Sequence, residues 1–74
     1  MKITDKNRAK MRRELEEGDK ITFLRNGVGP AVTATVTWPG MRGASDFCSA
    51  QAREIAAYPV SIDYHRITEW YKNR

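Results

Sequence analysis

The segment AVTATVTW, residues 31–38, sets apolar side chains and threonines in strict alternation, and it follows KITFLRN across the link GVGP. A period of two places Val32, Ala34, Val36 and Trp38 on one face of a strand and leaves Thr33, Thr35 and Thr37 on the other. Ile21 and Phe23 share a face of the preceding strand in the same way. Asn26-Gly27 is a strong turn signal, and Val28-Gly29-Pro30 lengthens the connection to a loop of about five residues. The two segments predict an antiparallel hairpin, half-buried, with Trp38 on its inner face. Pro39 closes the second strand because proline cannot donate to a ladder.

A chain of 74 residues must bury that inner face within one small domain. It hides roughly 60% of the surface its unfolded form exposes, so its own core stabilises it by a few kcal/mol at most. With 41% apolar and 30% charged residues the chain belongs to the globular class. One cysteine, Cys48, and one histidine, His65, exclude an internal disulfide and any Cys/His zinc site built by this chain alone. A partner or a second copy is the expected source of extra stability, which makes a homodimer one expectation. MKITDKNRAKMRR carries no apolar run, and no segment is long enough to span a bilayer, so the expected setting is cytoplasmic, with no membrane partner.

Thr4 predicts an N-cap for a helix through DKNRAKMRRELEE, closed by Gly18 at its C′ position. Met11 and Leu15, extended by Ile3 and Ala9, give it one narrow apolar stripe. Lys2, Lys6, Arg8, Lys10, Arg12 and Arg13 crowd the first part, and Glu14, Glu16, Glu17 and Asp19 follow. Over such a helix this order opposes the dipole, and Lys10–Glu14, Arg12–Glu16 and Arg13–Glu17 pair in the weaker orientation. Either the charge run is an ordinary solvated face, or the basic segment serves a partner.

The second half is less regular. Alanine content and spacing favour a helix from about Ser45 to Ala57, while Ile55 to Ile62 also reads as a strand interrupted at Pro59. Val60, Ile62 and Tyr64 alternate as in a short strand. Ile67, Trp70 and Tyr71 fit either a last helical turn or a closing strand. Together these readings predict a single α+β domain spanning 1–74: N-terminal helix, antiparallel β-hairpin, second helix, and a short C-terminal strand or helix.

Leu15-x-x-Gly18-Asp19-x-Ile21-x-Phe23, then Ala34-Thr35-Val36, then Val60-x-Ile62-x-Tyr64-x-Arg66-Ile67 resembles the pattern of small SH3-like barrels. In those a Gly-Asp turn feeds the first strand and a Tyr-x-x-Ile segment precedes the last. The helix-like stretch 45–57 departs from it, because such a barrel has its third strand there. In size and style the chain also resembles small accessory proteins of bacteriophages. The barrel resemblance implies binding to peptides or nucleic acid, with function lodged in a site and not in the fold itself.

Little in the sequence offers reactive chemistry. Gly27-Val28-Gly29-Pro30 lacks the third glycine and helix start of a dinucleotide site, and Gly40-Met41-Arg42-Gly43 lacks the Lys-Ser/Thr of a P-loop. Cys48 with His65 is the one conceivable nucleophile–base pair, and a cysteine beside Phe47 is more often a small buried hydrophobe. Asp46, Glu54, Asp63 and Glu69 are scattered. The expectation is a non-enzyme with no cofactor and no metal.

A net charge of +4 favours anionic partners. The leading expectation is therefore a basic binding module that contacts a DNA or RNA backbone, or a complex containing one, through Lys6, Arg8, Lys10, Arg12, Arg13 and Arg42. The alternative is a small phage-type inhibitor or adaptor. It would bind a host protein through Met41 in the Gly40–Gly43 loop and through Trp70 and Tyr71, since Trp, Tyr and Arg dominate such interfaces.

Overall fold

A computed structural model describes residues 1–41 and 44–73 of the chain. Its elements are α1 (Arg8–Glu14), β1 (Lys20–Leu24), β2 (Ala31–Trp38), β3 (Phe47–Gln51), β4 (Val60–Asp63) and β5 (Ile67–Tyr71), with 3-10 turns at Arg25–Gly27 and Tyr64–Arg66. The strands form one antiparallel sheet in the order β4-β3-β2-β1-β5, so the last strand closes on the first. This is a small all-β fold with a single short helix, which overturns the α+β expectation.

The hairpin forms as its alternation requires. Ile21 pairs with Ala34 and Phe23 with Val32, and all four are buried. Asn26 and Gly27 both take positive φ, 55° and 82°, which turns the chain tightly after β1. The Arg25 N–H then donates to Pro30 O at 3.0 Å and closes the 25–30 loop.

The helix expected over 45–57 is absent. Phe47–Gln51 is β3, with Cys48 and Ala50 buried and Phe47 and Gln51 exposed, a period of two written in small residues. Its neighbours β2 and β4 supply ladder bonds that outweigh the helix preference of alanine. Residues 52–58 form the turn to β4, where Ile55 and Ala56 N–H groups donate to Ala52 O and Gln51 Nε2 donates to Ala57 O at 3.0 Å.

The N-terminal helix is real but shorter than expected. Asn7 Oδ1 accepts the Thr4 N–H at 2.7 Å and its Nδ2 donates to Lys2 O, so residues 4–7 fold as a turn ahead of the helix. Leu15 leaves the helix with ψ 135°, and Gly18, at φ 95°, belongs to the following turn. The short helix reverses the dipole argument. Arg12 and Arg13 now occupy its last turn, where cations are favoured, and Glu16 and Glu17 lie outside it.

Two β-bulges decide where the tryptophans go. On β5, Thr22 of β1 faces Glu69 but Phe23 faces Ile67, so Thr68 is an extra residue. Ile67 and Trp70 are therefore both buried although three positions apart. That odd spacing is what made the segment look helical. On β2, Val36 faces Ala50 but Trp38 faces Ser49, and the extra residue reverses the alternation. Trp38 consequently points out of the core and is 39% exposed, against the inward placement its sequence spacing predicts.

The core is one cluster, to which Met11 of α1, Leu15 just past its end, Tyr64 of the 3-10 turn and Ile3 contribute beside the strands. Ile3 is held there because residues 1–3 run along the outer edge of β5. The Ile3 N–H donates to Thr68 O, the Trp70 N–H donates to Met1 O, and the terminal ammonium donates to Trp70 O. No helix among the described residues is long and apolar enough to cross a membrane.

Candidate functional site

The basic N-terminal segment divides into tethered and free cations. Arg8 Nη1 pairs with the Asp5 carboxylate at 2.7 Å. The Arg12 guanidinium sits over the Tyr64 ring, 5.0 Å from its centroid, and donates from Nη2 to Ser45 O at 2.8 Å. It thus fastens α1 to the segment that enters β3, with Asp46 a loose third partner at 3.9 Å. Lys6, Lys10 and Arg13 are exposed and make no ion pair among the described residues. Lys10 and Arg13 are three positions apart on α1 and so share a face, and Lys6 sits on the turn before it. The expected pairs Lys10–Glu14 and Arg13–Glu17 do not form. Arg42 lies outside the described residues.

The aromatic alternative is rearranged. Trp70 is 2% exposed and offers a partner no usable surface. Its indole Nε1 donates to Asp19 Oδ2 at 3.0 Å inside the protein. Tyr71 is 45% exposed, its hydroxyl donating to the Glu69 carboxylate, which pushes its pKa up. Met41 is 65% exposed. Trp70 and Tyr71 do border a surface depression of about 420 Å³ with Lys10, Glu14 and Lys72, on the side where α1 meets β5.

What brings aromatic surface outward is a pair that sequence reasoning missed. Trp38 and Phe47 pack with their rings tilted by 57° and centroids 5.5 Å apart, both about two-fifths exposed. The chain between them starts at Gly40, whose φ of 92° and close neighbours, Tyr64 Oη and Phe47 O, leave no room for a Cβ. Tyr64 Oη donates to Pro39 O at 2.5 Å and pins this loop to the 3-10 turn before β5. Pro39 directly after Trp38 was the available signal that the strand's regular pattern ends there.

Asp19 was read as part of the acidic run and of a Gly-Asp turn, and it is the most heavily bonded side chain among the described residues. Buried, it accepts from Glu16 N–H and Trp70 Nε1 on Oδ2 and from Asn73 N–H on Oδ1, at 2.9–3.0 Å, with the Lys72 ammonium 3.5 Å away. Burial alone would raise its pKa. The three hydrogen bonds and the ammonium outweigh burial and hold it below the ordinary value of 3.8. The Glu16 carboxylate in turn holds the Lys72 pKa up.

The nucleophile–base pair considered from sequence is separated by burial. Cys48 is fully buried and its thiol pKa is pushed to about 11, so it carries no thiolate near neutral pH. His65 is exposed on the surface, its ring and N–H both turned to Asp63 Oδ1. Among the described residues no three His, Cys, Asp or Glu side chains converge as metal ligands.

No family model, curated protein or solved structure matches the chain.

Proposed function

We propose that the protein is a non-catalytic binding module that contacts the phosphate backbone of nucleic acid through Lys6, Lys10 and Arg13. The observation that carries this reading is their combination of exposure and missing carboxylate partners on a chain of net charge +4. Each free cation that meets a phosphate releases condensed counterions, which makes binding steeply salt-dependent. Arg8 and Arg12, tied to Asp5 and Ser45, contribute to the field and not to direct contact. The strand order, the fifth strand closing on the first, and the 3-10 turn before it also support reading the fold as an SH3-like small barrel.

Fluorescence anisotropy against a DNA duplex and a single strand tests the proposal. Three phosphate contacts correspond to an affinity loss of about 40-fold between about 50 and 200 mM salt. Replacing Lys6, Lys10 and Arg13 by glutamine abolishes most of that slope. A slope unchanged by the triple substitution, or no binding at low salt, refutes the reading.

The exposed Trp38–Phe47 pair supports a second reading, a protein partner anchored there and on Met41. On that reading Trp38→Ala costs about 2 kcal/mol of binding and added salt costs little.

A further inference from the structure

Away from α1, a cleft of about 280 Å³ opens between the 25–30 loop, β4 and the 64–66 turn. Phe23 and Ile55 line its apolar part, and Arg25, Asn26, Ser61 and Arg66 its polar part. Two arginines thus border one small cavity. Neither makes an ion pair among the described residues. Asp63, which feels the Arg66 charge, is committed to the His65 N–H and ring.

Arg66 is held in place while its bonding capacity is left unspent. Its guanidinium lies over the Phe23 ring, 5.4 Å from the centroid, and Nη2 donates to Leu24 O at 3.2 Å. Its Nε is enclosed with no acceptor. A guanidinium has five N–H donors and no acceptor, so one carbonyl leaves it well short of satisfaction. A partly buried cation in that state costs free energy unless something anionic completes it. The Phe23 ring beneath it and the bond to Leu24 O hold the guanidinium in place, and a fork so held is pre-organised for a tetrahedral oxyanion.

We propose that Arg25 and Arg66 form an anion-binding cleft that accepts a phosphate group. Arg66 supplies the rigid fork, Arg25 on the exposed loop closes from the other side, and Asn26 and Ser61 add neutral polar groups at the rim. The apolar wall of Phe23 and Ile55 gives whatever carries the phosphate a surface to lie against. The site is independent of Lys6, Lys10 and Arg13, and its phosphate is either a backbone phosphodiester or a small free ligand.

Side-chain and backbone ¹H–¹⁵N spectra of the full chain, titrated separately with inorganic pyrophosphate, adenosine monophosphate and an oligothymidylate, test the proposal. Saturable shifts at the Arg66 Nε–H and at Arg25 and Asn26 are expected. Arg25→Gln weakens saturation at least tenfold while the rest of the spectrum stays in place. Arg66→Lys keeps the charge but loses the fork, and lowers affinity similarly; should that variant unfold, Arg25→Gln alone carries the test. Shifts with the oligothymidylate at these resonances assign the phosphate to a strand, and shifts with pyrophosphate or the nucleotide alone assign it to a small ligand. Absence of shifts with all three probes, or unsaturable drift equal at Lys6, Lys10 and Arg13, overturns it. Substituting those three residues leaves the cleft shifts unchanged, so failure of one site does not pass for failure of the other.

Discussion

The ends of β2 and β5 each carry a tryptophan next to a β-bulge, and the two bulges act in opposite directions. On β5 the extra residue Thr68 brings Trp70 inward, where its indole meets a buried carboxylate. On β2 the extra residue carries Trp38 outward, where its ring packs on Phe47 and stays 39% exposed. Composition cannot distinguish the two positions. Backbone parity does, because one inserted residue exchanges the faces of every side chain beyond it. The result is a well-bonded structural end and an aromatic surface end built from the same residue type.

That contrast is breakable, and the largest effect is expected at Asp19. Asp19→Ala leaves the buried Trp70 indole and the half-buried Glu16 and Asn73 N–H groups without their acceptor and costs about 2–4 kcal/mol, read as a fall in the denaturation midpoint. The carboxylate also carries a pH signature. Its folded pKa is depressed, so its contribution is complete above the unfolded value near 3.8 and is lost as pH falls through the folded value. Acid denaturation below about pH 4 is therefore shallower in Asp19→Ala than in the native chain. Next in size is Trp70→Phe, which keeps most of the ring but removes the indole donor, at a cost of about 1–3 kcal/mol. Gly40→Ala forces a left-handed residue and a clash with Phe47 O, costing about 1–3 kcal/mol, and sharpens the contrast by loosening only the Trp38 end. The smallest effect is expected for Trp38→Ala, about 1 kcal/mol or less. A Trp38→Ala cost matching that of Trp70→Phe would erase the distinction.

The hairpin was readable because its alternation is uninterrupted from Val32 to Val36 and Asn26-Gly27 marks the turn. Met11 on a short surface helix was readable from spacing, and Leu15 is buried as expected but lies past the helix end. β3 was not, since Cys48 and Ala50 are too small to write a strong period of two, and alanine content favours the wrong element. Apart from Pro39 after Trp38 the bulges left no local signature, so Trp38 and Trp70 were each assigned to the other's role. Among the candidate contacts, Lys6, Lys10 and Arg13 are as exposed as a charge run suggests. The tethering of Arg12 depends on Ser45 and Tyr64, which no spacing along the helix reveals. Arg25 and Arg66 stood as isolated basic residues, 41 positions apart, until the fold closed a cleft between them.

The closing of β5 on β1 also governs how quickly the chain can find this structure. Asp19 waits for Trp70 and Asn73, partners 51 and 54 positions away, and no local contact substitutes for them. Until the last strand docks, β1 has one open edge, a carboxylate with only the Glu16 N–H as donor and an uncovered Phe23. Topologies dominated by such distant pairings fold on the order of milliseconds to seconds, far slower than helical bundles of similar size. The hairpin of β1 and β2 is therefore the natural early structure, and the rate is set by the search that brings the two ends of the sequence together.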